Sequence, residues 1–166
     1  KSKTFFQDQF LFHTGAIATK GVTDLFKGLV RRQRPLCYCA ADLAARREPP
    51  VQQNDVHAFF SGHASSAFYA MTFLNLRVRS VMRREMSSDD YRSWRWLSPT
   101  LTFGWATFVG LTRIQAYRHY LSDVAAGAVV GTLIATLYYS FAEEFPQPDR
   151  GTGTGVPMAL QITVSF

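Results

Sequence analysis

The chain has 166 residues, of which 47% are hydrophobic and 18% charged, and 18 Lys and Arg against 12 Asp and Glu give a formal charge of +6. That length suits one domain with a real core, and the composition is apolar for a soluble domain yet polar for a bundle of membrane spans. The two cysteines, Cys37 and Cys39, are badly placed to bridge each other and exclude a disulfide framework or a four-cysteine metal site. The basic surplus suits nucleic acid, an anionic membrane surface or an anionic substrate, and the positions of the basic residues must decide.

Residues 4–30 read as a helix with an apolar side made of Phe5, Leu11, Phe12, Ala16, Ile17, Ala18, Val22, Leu25, Phe26 and Leu29. Gln7, Asp8, His13, Lys20, Asp24 and Lys27 interrupt it too often for a lipid-facing span. Pro35 closes the region, because the residue before a proline is pushed out of helical geometry. Residues 36–55 read as a loop with a short helix around Ala40–Ala45, and Pro49-Pro50 followed by Gln, Asn and Asp mark the loop itself. A second helix is expected from near Ser61 to about Leu76, rich in the small residues Gly62, Ala64, Ser65, Ser66, Ala67 and Ala70.

Residues 77–97 read as a polar connector carrying Arg77, Arg79, Arg83, Arg84, Arg92 and Arg95 beside Trp94 and Trp96. A third helix is expected over Pro99–Gln115 and a fourth over His119–Glu143. Val124–Ala142 of the fourth is uncharged and long enough to cross a bilayer. The end of the chain changes character: Gly151, Gly153 and Gly155 alternate with Thr, and Ala159 to Phe166 alternates like a short strand. A terminal Phe on a strand is similar to the ends of bacterial outer-membrane proteins. The expected organisation is therefore an all-α helical domain over residues 1–146, which leaves open N-terminal helices ahead of Lys1. A linker and strand-like tail follow over 147–166.

Three clusters carry chemistry. The first runs from Lys27 to Arg34 and Pro35, the second is Phe60-Ser61-Gly62-His63, and the third is Thr112-Arg113, then His119 and Asp123. His119 and Asp123 are four apart on an expected helix, so they share a face one turn apart. A carboxylate on one imidazole nitrogen fixes the tautomer and leaves the other nitrogen free to attack. Gly127 and Gly131 continue that stripe and permit close approach of another helix. Alone, such a pair is more often an exposed helix ion pair worth about 0.3–0.5 kcal/mol. Ser61 and Gly62 fall at a helix start, where free amides and the dipole favour an anion, and His63 sits beside it. Alone, this is more often an ordinary serine cap. Lys27, Arg34 and Arg113 could spread charge over three phosphoryl oxygens, guanidinium forks fitting them bidentately. Alone, a run such as Arg31-Arg32-Gln33-Arg34 is solvated surface.

Together the order and spacing are specific. The three segments resemble the signature of the type 2 phosphatidic acid phosphatase and vanadium haloperoxidase superfamily: Lys-x6-Arg-Pro, Pro-Ser-Gly-His, and Ser-Arg-x5-His-x3-Asp. Lys27, Arg34 and Pro35 match the first part, and Ser61, Gly62 and His63 the second, with Phe60 for Pro. Arg113, His119 and Asp123 match the third, with Thr112 for Ser, which keeps the hydroxyl.

The resemblance implies an all-α bundle and a phosphatase of lipid phosphates or small phosphoesters that needs no metal or cofactor. His119 would form a phosphohistidine, Asp123 would orient it, and His63 would protonate the leaving group and then activate water. Lys27, Arg34, Ser61, Gly62 and Arg113 would cradle the phosphoryl oxygens. It also implies membrane association, with the site outside the cytoplasm and the arginine-rich connector inside, and a membrane or periplasmic setting in a bacterial envelope. The alternatives are a vanadium-dependent haloperoxidase on the same cradle and a nucleic-acid binder using the Arg- and Trp-rich connector. The second is disfavoured, since that segment equally suits a membrane interface.

Overall fold

A computed structural model describes residues 2–38 and 56–144 of the chain. The expected short helix at Ala40–Ala45, the loop around Pro49-Pro50 and the strand-like tail over 147–166 lie outside the described residues. The described residues are all-α: α1 (Ser2–Val30), a single 3-10 turn (Pro35–Cys37), α2 (Gly62–Glu85), α3 (Ser88–Trp94), α4 (Leu97–Gln115) and α5 (Leu121–Glu144).

Two boundaries differ from expectation. The segment 77–97 is not an open connector, because α2 continues to Glu85 and α3 follows. Arg, Val, Met and Glu are adequate helix formers, so this polar stretch has no breaker before Ser87. The Ser87 Oγ then accepts from the Asp90 N–H at 3.2 Å, and Asp89 and Asp90 complement the positive end of α3. The last helix starts at Leu121, so His119 stands just ahead of it instead of on it.

Helix α2 is the hub, packed by α1, α4 and α5. Contacts set the directions. Asp8 pairs with Arg77 at 2.7 Å, while Thr23 meets Ser65 at 3.0 Å, so α1 runs antiparallel to α2. Ser98 donates to Asn75 at 2.9 Å and Phe103 packs near Phe68, so α4 is antiparallel as well. Helix α5 runs parallel to α2 at close range. A Cβ added at Gly127 would lie 2.7 Å from the Ser61 carbonyl oxygen, and one at Gly131 would collide with the Ser65 carbonyl. These two glycines let the backbones touch, as the small-residue stripe predicted.

At the far end from the motifs, Phe12, Tyr69, Phe73 and Tyr139 form an aromatic cluster with centroids 5.5–6.3 Å apart. Each such pair adds about 0.5–1.5 kcal/mol beyond area burial. The Tyr69 hydroxyl also donates to the Phe12 carbonyl at 2.8 Å, which pins α2 to α1.

The burial pattern is turned outward. On α1 the buried stripe is Leu11, Gly15, Thr19 and Thr23, spaced by four, while Phe6, Phe10, Ile17, Leu25 and Leu29 are exposed. On α4 the buried stripe is Ser98, Thr102, Ala106 and Gly110, and Leu97, Leu101, Trp105 and Phe108 face out. On α5 it is Asp123, Gly127, Gly131, Ala135 and Tyr139, with Leu121, Val129, Leu133, Leu137 and Phe141 outside. Half of the apolar side assigned to α1 from sequence (Phe5, Ile17, Leu25, Phe26 and Leu29) is thus outer surface, and Gly15, Thr19 and Thr23 face the bundle. Leu121–Phe141 is one helix, among the described residues, long and apolar enough to cross a membrane.

Candidate active site

Three loops and helix ends meet at one end of the bundle. Each pair of motif segments is joined by a backbone hydrogen bond. The Ala58 N–H donates to the Arg32 carbonyl at 3.0 Å, the Ser61 N–H to the Asp123 carbonyl at 3.0 Å, and the Leu36 N–H to the Tyr117 carbonyl at 2.9 Å. Leu36 is buried behind Pro35, so the first motif is anchored against the turn that leads to His119. Tyr117 makes that turn in the left-handed region, at φ 52°.

Helix geometry delivers the cations. Lys27 continues the four-residue stripe of Thr19 and Thr23 on α1, and a Cβ at Gly62 would lie 3.4 Å from its Nζ. Lys27 therefore stands over the N-terminus of α2, where the amides of the first turn have no intrahelical carbonyl. Lys27, Gly62 and His63 share a cleft of about 320 Å³ with Lys20, Thr23, Asp24 and Ser66. Burial lowers the pKa of His63 below its usual value, and the charges of Arg113, Lys27 and Arg34 lower it further. The three expected cations thus act together on one histidine.

Ser61 is fully buried. Its Oγ accepts from the Ala64 N–H at 3.3 Å and its own N–H is given to Asp123, so its observed contacts shape the turn. Among the described residues, no three His, Cys, Asp or Glu side chains gather as a metal site.

His119 is 4% exposed. Its Nδ1 lies 2.7 Å from the Ala58 carbonyl oxygen. A carbonyl only accepts, so Nδ1 carries the proton and Nε2 keeps its lone pair. Burial brings the His119 pKa down to about 4, against the raising effect of the Ala58 bond, and Arg34, Lys27 and His63 reinforce the drop. A neutral imidazole is the nucleophilic form.

The direct bond from Asp123 to His119 expected from helical spacing is replaced by this carbonyl. Asp123 Oδ2 is 3.9 Å from Nδ1 because His119 has left the helix. Fully buried, Asp123 instead receives the Tyr120 N–H at 2.9 Å through Oδ2 and Arg32 Nη1 at 2.7 Å through Oδ1. Reaching back from the third helical position to the amide ahead of the helix is the carboxylate half of a capping box.

Arg32 is the residue that sequence reasoning left in a solvated run. It also donates to Ser122 Oγ at 2.9 Å and stacks 4.1 Å above the Tyr120 ring. The result is a closed circuit: Arg32 carbonyl to Ala58 N–H, Ala58 carbonyl to His119, His119 beside Asp123, and Asp123 back to Arg32. Only its spacing from the third motif's Asp123, invisible without the fold, could have signalled this. Phe60, which replaces the signature proline, is 1% exposed and packs 5.6 Å from the Phe26 ring, so it wedges the second motif under α1.

Comparison with known proteins adds descent to geometry. The family model of the PAP2 superfamily matches residues 10–146. Phospholipid phosphatase 2 of Mus musculus is 32% identical over 164 residues, covering 84% of this chain and 55% of that protein. Phospholipid phosphatase 1 of Rattus norvegicus is 30% identical, covering 82% and 51%. A probable diacylglycerol pyrophosphate phosphatase 1 of Schizosaccharomyces pombe is 33% identical over 100 residues, covering 60% and 34%. The chain spans about half the length of the curated phospholipid phosphatases it matches. No solved structure gives a significant match. The family match runs across most of the residues that build the bundle and through all three motif segments that meet at its end, and so the chain belongs to the PAP2 superfamily.

Proposed function

We propose that this chain hydrolyses a phosphorylated membrane lipid through a phosphohistidine on His119. The observation that carries the proposal is the buried His119 imidazole, held as the Nδ1–H tautomer by Ala58 beside His63 and three cations. In the first step Nε2 of His119 forms a bond to phosphorus as the bond to the leaving oxygen breaks, and protonated His63 gives that oxygen its proton. In the second, His63 takes a proton from water, the water oxygen bonds to phosphorus, and the Nε2–phosphorus bond breaks. Lys27, Arg34, Arg113 and the Gly62 amide neutralise the equatorial oxygens, so the reaction calls for no metal. Asp123 and Ser61 hold the loops that carry the reacting groups.

A lipid substrate and a membrane setting are supported by the outward apolar ridges of α1, α4 and α5. The relatives' names, phospholipid phosphatase and diacylglycerol pyrophosphate phosphatase, point the same way. The proposed setting is a membrane; the relatives are mammalian and yeast proteins and lend no support to a bacterial envelope in particular.

The test is phosphate release from phosphatidate and diacylglycerol pyrophosphate in mixed micelles, with a soluble phosphomonoester for comparison. The expected result is lipid hydrolysis insensitive to EDTA, inhibition by vanadate, and acid-labile, base-stable label from phosphorus-32 substrate that is lost in His119→Ala. Full activity in His119→Ala, or bromide oxidation by peroxide with vanadate in place of phosphate release, would overturn the reading.

A further inference from the structure

A second basic cleft lies at the opposite end of α2 and α5 from the motifs. It has a volume of about 440 Å³ and its lining includes Arg79, Arg83, Arg84 and Ser140, with Leu76 and Tyr139 as apolar walls and, among the residues whose side chains are described, no acidic one. From His63 to Arg83 is 20 residues of continuous helix, so the two sites are about 30 Å apart at 1.5 Å per residue.

Arginines in the last turn of α2 complement the helix dipole, which alone would explain Arg83 and Arg84. It does not explain Arg79, more than a turn earlier, whose guanidinium reaches the Tyr91 hydroxyl while its Nε stays buried without a hydrogen-bond partner. A buried guanidinium donor without an acceptor is costly and uncommon. Around it, Arg83 Nε is steadied by the Tyr91 hydroxyl at 2.9 Å, and Arg84 leans on Ser80. Arg79 also lines an adjoining small cleft with Arg95 and Trp96. Trp94 and Trp96 are 54% and 66% exposed on this face. Exposed tryptophans among arginines at the end of a span are the composition of a membrane interface, and basic pockets between helices there suit anionic headgroups.

We infer that this groove is a second phosphate site, holding the headgroup of an anionic phospholipid in the leaflet opposite the catalytic cluster. The inference rests on the proposed membrane setting: a 21-residue span over Leu121–Phe141 is about 32 Å long and places the groove at its far end. A lipid is favoured over free phosphate because Leu76 and Tyr139 give the groove apolar walls that acyl chains can follow, next to the outward apolar ridge of α5.

The experiment reconstitutes the full 166-residue chain in phosphatidylcholine nanodiscs, titrates in phosphatidylserine, and counts retained lipids by native mass spectrometry. The parent and Arg34→Gln, which alters the catalytic cradle, should each retain a phosphatidylserine. Arg79→Gln/Arg84→Gln should bind it about thirtyfold more weakly, and millimolar inorganic phosphate should not displace it. Arg84→Gln alone, at an exposed position, should lose several-fold and carries the test if the double variant fails to fold.

Unchanged binding in the groove variants, equal retention of phosphatidylcholine, or loss of binding in Arg34→Gln overturns the inference. Displacement by inorganic phosphate overturns the lipid assignment. Failure of the parent to enter nanodiscs overturns the membrane setting itself, whereas entry without a preference for phosphatidylserine overturns this inference alone.

Discussion

Replacing Arg32 with alanine separates a residue that positions the nucleophile from one that decorates the surface. Arg32 gives Asp123 one of its two side-chain partners and stacks on Tyr120. Breaking a fully buried pair by removing one member costs about 3–5 kcal/mol. Asp123 is fully buried, but the Arg32 side chain is 38% exposed and Asp123 keeps the Tyr120 amide. Solvent screening and the surviving bond reduce the expected loss to about 1–3 kcal/mol. For a chain of this size that is a fall in Tm of about 2–12 °C.

The Arg32 guanidinium is taken up by Asp123, Ser122 and the Tyr120 ring, so its loss should leave KM nearly unchanged. Loosening the circuit through Asp123 and Ala58 should displace His119 and lower kcat by about 10–100-fold. Arg32→Lys should recover only part of both effects, since lysine keeps the charge but neither the fork nor the flat stacking face. Thermal unfolding in detergent and steady-state phosphate release measure the two effects. A Tm loss with unchanged kcat would reduce Arg32 to a structural brace, and no change in either would refute the circuit.

Other perturbations probe the rest of the site. Gly131→Ala should destabilise by about 1–3 kcal/mol, because its Cβ meets the α2 backbone at Ser65, whereas Gly104→Ala, with open space around it, should be neutral or stabilising. Equal melting temperatures for the two would refute the close α2–α5 contact. Ser61→Ala removes the cap to Ala64 and should cost about 0.5–2 kcal/mol in thermal unfolding, and an unchanged melting temperature would remove the cap from the account. The pH profile of kcat/KM should be bounded by the two histidines. His119, lowered to about 4, is neutral above that pH and is protonated and inactive as pH falls through it. His63, lowered below 6.5, loses its donating proton as pH rises through its own pKa. Both limbs should therefore fall below pH 6.5 with a soluble substrate, and an alkaline limb unmoved by His63→Gln would remove it as the acid.

The motifs stood out because spacing along a chain survives folding: Lys27, Arg34, His63, Arg113, His119 and Asp123 were singled out by their match in interval and type to the superfamily signature. What they touch was not legible. The Ala58 carbonyl belongs to no motif, and any residue type would supply the same atom. Arg32 lies among three other cationic or polar neighbours, and nothing local distinguishes the guanidinium that turns inward. Asp123 was placed against His119 by helical arithmetic, which fails when the helix begins two residues later, at Leu121.

The helices themselves were legible, but their sidedness was not. Hydropathy gives α1 an apolar side but does not say which way that side faces; in a water-soluble bundle its large apolar residues would be buried. In the proposed membrane setting, lipid would give no reward for hiding Phe6, Phe10 or Leu25, and the helices pack instead through small and hydroxylated residues such as Gly15, Thr19 and Thr23. Three of the polar interruptions of α1 stand at the mouth of the cleft beside the buried Thr23. Lys20, Thr23, Asp24 and Lys27 all reach it. Lys27, one of the residues that lower the average hydropathy of α1, is thereby carried to the N-terminus of α2.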